Sequence, residues 1–524
     1  MPCRLALFAL VLLAARAEAQ APPAGSFPAA CGRFAPKGLP FRAEVLTTSF
    51  VADTAGIPAR CVVRGRIVSS PSSTINFRID LPVPAAWNGK TLTIGGGGFD
   101  GIVSMEQQWW RGLLGQMGGA PADVTAFVTG GSDSGHQGRG AAPSIDYSWS
   151  AHNPTALENH ASEANHRLLG TMVAVAKAFY GKVPTRRYMF GLSNGGRQGL
   201  MAAQRHPEDY DGILALAPAI SQTAFAANLT PIMQHIYSHP DNWLDQSKLR
   251  VFQAAELAAC DRLDGIEDGV ISNYHGCRFD PATIACKSAV DANCLTPGQV
   301  ESMRLWMGPK RVEAEMADGL IGYARYGPGG PLSDFAFPFG TSFAARDAFN
   351  YIAADNIVKT VTDDPVTGIM RHDPAKWSKA YLRYSELIDA TSPDLSKFAA
   401  RGGKLLIIHG TGDYCVTHER TAQWFQTVEA KMGAEPVRGF ARYYVAPGLG
   451  HLFTGSGADA FPLFPALEAW VERGVAPERP IATKLDQSGG ARYTRPVCEY
   501  GTFPKYSGAG DANSAASYSC SPTG

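Results

Sequence analysis

Gly191-Leu192-Ser193-Asn194-Gly195 is the segment of this 524-residue chain that most narrows what it can fold into. An apolar run, Arg187-Tyr188-Met189-Phe190, leads in, and a helix-forming run, Gly196-Arg197-Gln198-Gly199-Leu200-Met201-Ala202-Ala203, leads out. A G-x-S-x-G segment between a strand and a helix is a nucleophile elbow. The sharp turn lifts the serine hydroxyl above the sheet, and glycines flank it because a Cβ would clash there. With 56 glycines the bare pattern carries little weight; the strand before it and the helix after it carry the argument.

The rest of the chain supplies the sheet. Thr74 to Leu81 alternates apolar and polar side chains as a half-buried strand does. Thr91 to Ile94 runs into Gly95-Gly96-Gly97-Gly98, and Val124 to Val128 reads as another strand. Thr155 and Glu158 form a capping-box pattern before a helix to about Tyr180, with Leu168, Leu169, Met172, Val173, Ala176 and Phe179 on its apolar face. The strand Ile213 to Leu216 follows the elbow helix. From about Ile220 to Phe398 the alternation fails, and it returns with the strand Leu405 to Ile408, a helix from about Glu419 to Met432, the strand Arg442 to Val445 and a helix from Pro462 to Arg473. The expected fold is α/β: an α/β-hydrolase core with a mainly parallel sheet from 20–219 and 399–524, interrupted by a lid at 220–398. The tail after Pro480 reads as loop.

Residues 1–19 read as a signal peptide, with Arg4, the apolar run Leu5 to Ala15 and the cleavage site Ala17-Glu18-Ala19. That run is too short to span a bilayer. The expected location is secreted or periplasmic, where disulfides form. Without Cys3 nine cysteines remain, and nearest neighbours pair as Cys31–Cys61, Cys260–Cys277, Cys286–Cys294 and Cys498–Cys520, leaving Cys415. Lys+Arg and Asp+Glu are equal at 47, with no basic tract, so neither nucleic acid nor a membrane surface is an expected partner. A small-molecule substrate and a monomer or weak oligomer are expected.

Serine at its free pKa is a poor nucleophile and needs a base, which in turn needs an orienting acid. In α/β-hydrolases the chain order is Ser, acid, His. Only His409, His418 and His451 follow the insertion. His409 stands at its strand's end before any good acid, and His418 stands five residues past Asp413 at a helix start. His451, in the loop Pro447-Gly448-Leu449-Gly450-His451, is left as base, and Asp413, after the strand Leu405 to Ile408, as acid. Both positions follow the carboxyl ends of strands, where open parallel sheets place catalytic groups. The oxyanion donors are expected from the backbone N–H of Asn194 and from the glycine run, with Gly96, Gly97 and Gly98 as candidates and Gly97 and Gly98 preferred.

A second constellation, Asp261-Arg262-Leu263-Asp264-Gly265-Ile266-Glu267-Asp268-Gly269-Val270, brings carboxylates together between sharp turns. Oxygen ligands from Asp261, Asp264 and Asp268, with carbonyls of Ile266 and Val270, suit Ca2+, although the spacing is not that of an EF-hand. An acidic surface turn is the alternative.

Taken together, Trp87-Asn88-Gly89-Lys90, Gly95 to Gly98 with Phe99 and Gly101, Thr129 to His136, the elbow, the Asp261 to Val270 loop and the Asp413 and His451 loops resemble the tannase/feruloyl esterase family, which also contains a mono(2-hydroxyethyl) terephthalate hydrolase. The resemblance implies Ser193 as nucleophile, Asp413 as orienting acid, His451 as general base, a lid inserted before the acid and a structural Ca2+ in that lid. It also implies an ester of an aromatic acid as substrate, with feruloyl, galloyl or terephthaloyl as the acyl group. Trp109, Trp110, Tyr414 and Phe453 are candidates to stack on the ring or to pack in the core. Many family members carry cysteines beside the serine and histidine, joined as a disulfide; here Leu192 and Leu452 stand there, and a Leu–Leu contact is expected instead. An exported serine peptidase and a non-catalytic calcium-stabilised binding protein are the rival readings.

Overall fold

The computed structural model describes residues 26–54, 57–119, 124–140, 143–287, 291–320 and 322–523. The expected leader at 1–19 lies outside them. Ten strands form the main sheet: β1 Ala43–Val51, β2 Arg60–Ser70, β3 Ser73–Pro82, β4 Lys90–Ile94, β5 Val128–Ser132, β6 Arg186–Leu192, β7 Gly212–Leu216, β8 Lys404–Gly410, β9 Ala441–Ala446 and β10 Cys498–Glu499. Their order in space is β1-β2-β3-β5-β4-β6-β7-β8-β9-β10. From β5 to β9 neighbouring strands are parallel. The pairs β1–β2, β2–β3, β3–β5 and β9–β10 are antiparallel.

The central strands are apolar throughout because both faces are covered. Successive residues go to opposite faces. Phe190, Leu214, Leu406 and Ile408 join one buried cluster, while Met189, Ile213, Leu405 and Ile407 join the cluster on the other side.

Three sequence expectations are corrected. Val124 lies outside β5, which begins at Val128 and contains Gly130 and Gly131. Those glycines hide the strand in the sequence, yet packing demands them. A Cβ at Gly130 would stand 2.7 Å from the Met172 sulfur, and one at Gly131 2.0 Å from the Ser104 hydroxyl. The helix at 154 is capped by Asn153, whose side chain accepts from Ala156 N at 3.2 Å, with Pro154 in the first turn; Thr155 is not the cap. The tail is not loop but two hairpins, Ile481–Leu485 with Ala491–Pro496 and Thr502–Tyr506 with Tyr518–Pro522.

Between β7 and β8 the chain leaves the sheet. Helices Gln222–Ile236, Gln246–Cys260, Phe349–Thr362 and Ser378–Ile388 pack in a cluster that also takes in Phe99, Tyr147 and Tyr414 from the sheet's loops. The insertion is therefore seated on the loops that follow the carboxyl ends of the strands. Disulfides join Cys31–Cys61, Cys260–Cys277, Cys286–Cys294 and Cys498–Cys520, and Cys415 is free and buried. Among the described residues no helix is long and apolar enough to cross a membrane.

Candidate active site

β6 ends at Leu192 and the helix Asn194–Arg205 starts two residues later, so Ser193 alone makes the turn, at φ 59° and ψ −118°. A non-glycine residue persists there only when its surroundings fix it. Ser193 N donates to Leu216 O at 2.9 Å, and Ser193 O accepts from Arg197 N and Ala219 N, both at 3.0 Å. The flanking glycines are required by contact. A Cβ on Gly191 would lie 2.3 Å from the Gly195 carbonyl carbon, and one on Gly195 2.6 Å from Gly96 O.

The Asp413 carboxylate is the focus of the next two loops. One oxygen accepts from the N–H groups of Cys415 and Val416 at 2.8 and 2.9 Å. The other accepts from His451 Nδ1 at 2.7 Å and His409 Nε2 at 3.0 Å. Burial would raise the Asp413 pKa, but the two imidazoles outweigh it and hold the carboxylate well below its usual range. Burial disfavours protonated His451, yet the Asp413 charge prevails and raises that pKa well above the ordinary value. His409, set aside as a base from its position, is instead a fixed donor. Its Nε2 faces two acceptors, Asp413 and Val416 O at 3.1 Å, so Nε2 carries the proton. Burial depresses its pKa and keeps it neutral. Among the described residues no hydrogen bond joins Ser193 to His451; the imidazole's other neighbour is the Cys415 thiol.

The leucine pair does not replace the missing bridge. Leu192 is buried in the core cluster on its own side of the sheet, whereas Leu452 is 50% exposed. Besides main-chain bonds such as Gly412 N to Leu449 O at 3.0 Å, the His451 loop is held by Asp334 from the insertion, which accepts from His451 N at 2.6 Å. Sequence reasoning missed it, since nothing in the Leu332 to Phe339 segment signals a partner more than a hundred residues away.

In the glycine run, Gly95 N donates to Phe190 O at 2.9 Å, Gly96 N to Gln198 Oε1 at 3.2 Å, and Phe99 N to Ser144 O at 2.9 Å. Among the described residues the N–H groups of Gly97 and Gly98 have no acceptor. Gly98 and Asn194 line the same cavity as Ser193, and Asn194 opens a helix, where an N–H has no intrahelical acceptor. Gly98 has φ 57°, and a Cβ there would stand 2.3 Å from Ser144 O. The scaffold behind these groups is a buried polar network. Asp100 accepts from Asn194 Nδ2, Ser134 Oγ and Gln198 Nε2, and Arg197 Nε donates to Asn194 Oδ1 at 2.7 Å. The clue in the sequence was polar residues, Asp100 and Ser134, embedded in two glycine-rich motifs.

The cavity at Ser193 has apolar walls from Phe99, Ile220, Phe225, Phe349, Ile357 and Val416. Trp110, Tyr414 and Phe453 are buried in the core instead, and neither they nor Trp109 line it.

In the acidic loop, Asp261 accepts from Gly269 N at 3.0 Å, Asp264 from Ile266 N at 3.2 Å and Asp268 from Val270 N at 3.1 Å. Asp264 Oδ2 is buried without a partner, and burial together with Asp261 and Asp268 pushes the Asp264 carboxyl up to about 7. Asp268 also pairs with Arg495 at 2.6 Å. His166, His206 and Glu208 bring ligand atoms within 4.8 Å of one another. The two rings stack at 4.3 Å and 15°, so their in-plane lone pairs do not converge on one ion.

A family model described as "Tannase and feruloyl esterase" matches residues 60–521. The chain is 32% identical to a probable feruloyl esterase of Arthroderma benhamiae, over 84% of this chain and 81% of that one. It is 30% identical to the mono(2-hydroxyethyl) terephthalate hydrolase of Piscinibacter sakaiensis, over 90% and 86%. The crystal structure of feruloyl esterase B from Aspergillus oryzae superposes with a TM-score of 0.80 at 23% identity, covering 95% of this chain and all of that one, and so shares its fold. By the extent of the family match and the identity to these relatives, the chain belongs to the tannase and feruloyl esterase family.

Proposed function

We propose that this carboxylic ester hydrolase is exported and cleaves esters of aromatic acids with Ser193, His451 and Asp413 as its catalytic triad. The observation that carries the reading is the buried 2.7 Å bond from His451 Nδ1 to Asp413, in a fold whose strained elbow presents Ser193 to an apolar cavity. That bond fixes the tautomer in which Nε2 is free to accept a proton. Ser193 Oγ attacks the ester carbonyl carbon as its proton passes to His451 Nε2, and the C–O π electrons move to the oxyanion. The N–H of Asn194 and that of Gly97 or Gly98 stabilise this charge. Collapse breaks the bond to the alcohol oxygen, which leaves with the proton from His451. Water then repeats the sequence on the acyl-serine and releases the acid. The mechanism requires Ser193 Oγ and His451 Nε2 to come within hydrogen-bond distance in the substrate complex.

Export rests on the leader pattern and on four disulfides. Asp261, Asp264 and Asp268 with the carbonyls of Ile266 and Val270 would hold a Ca2+ ion, which would supply the positive charge that Arg495, paired with Asp268 alone, does not bring to the other two carboxylates. The orphaned Asp264 Oδ2 fits that role. The ion's part is structural.

Steady-state hydrolysis of methyl ferulate, methyl gallate and mono(2-hydroxyethyl) terephthalate tests the substrate class. Turnover of at least one, well above that of an aminoacyl anilide, is expected. A preference for the anilide would overturn the esterase reading, and inertness toward all three esters would overturn the aromatic one.

A further inference from the structure

The Ser193 cavity holds a second polar group that the triad chemistry does not use. Arg420, 4% exposed, lines it from the helix His418–Met432. Its described side-chain bonds leave from Nη2 alone, to Ser221 Oγ at 3.1 Å and to Asp318. Among the described residues Arg420 Nε is enclosed with no partner, and Nη1 makes no bond and is not enclosed in the same way, so Nη1 is the donor open to a ligand. A guanidinium has five N–H donors, and a buried one left unmatched is costly until something accepts from it. Nothing in the reaction at Ser193 needs a cation there, and Arg420 is the one charged side chain among the described residues that line the cavity. The spare donors on this surface are therefore suited to an oxygen carried by the substrate.

The neighbours decide which oxygen. Asp318 pairs with the guanidinium and neutralises it. Ser221, also on the cavity wall, bonds Asp389 at 3.3 Å, and that buried carboxylate accepts from Thr223 N at 3.2 Å. Two carboxylates thus attend one cation. Burial pushes the Asp389 carboxyl up to about 6, while the donors Thr223 N, Thr223 Oγ1 and Ser221 Oγ and the nearby Arg420 favour its ionised form. A second carboxylate on the substrate would meet a net negative surround in a low-dielectric cavity. A neutral oxygen meets donors without that repulsion.

Resting on the aromatic-ester reading, we infer that Arg420 is a specificity-determining residue that donates hydrogen bonds to a phenolic or methoxyl oxygen on the acyl ring, so that hydroxylated aromatic acyl groups are selected over unsubstituted and over carboxylated ones. Asp318 sets this choice by masking the charge of Arg420.

The test is the ratio of kcat/KM values within one enzyme preparation, so that differences in folded fraction cancel. Methyl 4-hydroxycinnamate, methyl cinnamate and mono(2-hydroxyethyl) terephthalate are the substrates. The double variant Arg420→Met/Asp318→Asn removes the donors without stranding a buried carboxylate. It is expected to lower the hydroxycinnamate-to-cinnamate ratio at least about tenfold, the loss of a hydrogen bond to a charged donor. Asp318→Asn alone unmasks the guanidinium and is expected to raise the terephthalate-to-cinnamate ratio several-fold. Unchanged ratios in both variants, with aromatic esters still hydrolysed, overturn the inference alone. A wild-type enzyme that hydrolyses 4-nitrophenyl acetate but none of the three aromatic esters overturns the inference and the aromatic reading together.

Discussion

The Asp334 carboxylate, carried by the inserted segment, accepts a hydrogen bond from the main-chain N–H of His451 at 2.6 Å. It also fills the space beside Gly450, where a Cβ would lie 2.3 Å from it. The insertion thus grips the loop of the proposed base directly. Burial, and the charge of Asp413 close by, push Asp334 up to about 7.

Asp334→Asn keeps an acceptor for His451 N but deletes a negative charge that favours the imidazolium. His451 must be neutral to accept the serine proton. Its pKa should fall in the variant, and the acid limb of the kcat/KM profile should move to lower pH by about 0.5–1 unit. The shift appears as pH rises past about 7, where the wild-type carboxyl ionises. Stability gives a second sign. A carboxyl whose folded pKa is raised stabilises the fold at low pH and loses that contribution as pH rises through the folded value. Wild-type Tm should therefore drop more between pH 5 and 8 than that of Asp334→Asn. A limb that moves upward, or an identical Tm slope, contradicts this placement of the charge.

Asp413 has two imidazole donors, and both Asp413 and His409 are fully buried. Asp413→Asn presents an amide to both rings and turns His451 to the wrong tautomer, so kcat should fall about 10^3–10^4-fold. The acid limb should also shift downward, because the charge that raises the His451 pKa is gone. A variant within tenfold of wild type would mean that another acid orients His451.

Much of this site was legible in the sequence because its parts are local. The elbow glycines and the free-standing Asp413 and His451 loops each show in a few residues, and each of the four disulfides joins cysteines that are consecutive along the chain. The expectation of a Leu192–Leu452 contact failed because no local pattern reports which face of a loop turns outward; Leu452 faces solvent. Gly130 and Gly131 read as breakers although helix packing made them strand residues. Asp334, Asp318 and the Asp100 network stayed hidden for a related reason: their partners lie tens to hundreds of residues away, and only the fold brings them together.

Cys415 is the free cysteine of the described residues, and it is buried at the wall of the Ser193 cavity. Burial raises its thiol pKa, so little thiolate is present at neutral pH. Titration with a bulky aromatic disulfide should count fewer than 0.1 thiols per chain, roughly none, in the native protein and about one in the unfolded, unreduced protein. Prompt native reaction, or no thiol after unfolding, contradicts the pairing.

Chelation tests the acidic loop. If Asp264 and its neighbours hold Ca2+, excess chelator should lower Tm by several degrees, about 1–3 kcal/mol of linkage, and added Ca2+ should restore it. Asp264→Ala should show the lower Tm with no response to either. An equal response in the variant would place the ion elsewhere, and no response in the wild type would leave the loop an acidic turn.

The central claim is that Ser193 carries the acyl group, and the most direct measurement is hydrolysis of methyl ferulate by Ser193→Ala beside the wild type. With its nucleophile gone and its fold intact by Tm, the variant should lose at least about 10^4-fold in kcat. A variant that hydrolyses methyl ferulate at the wild-type rate would contradict the account.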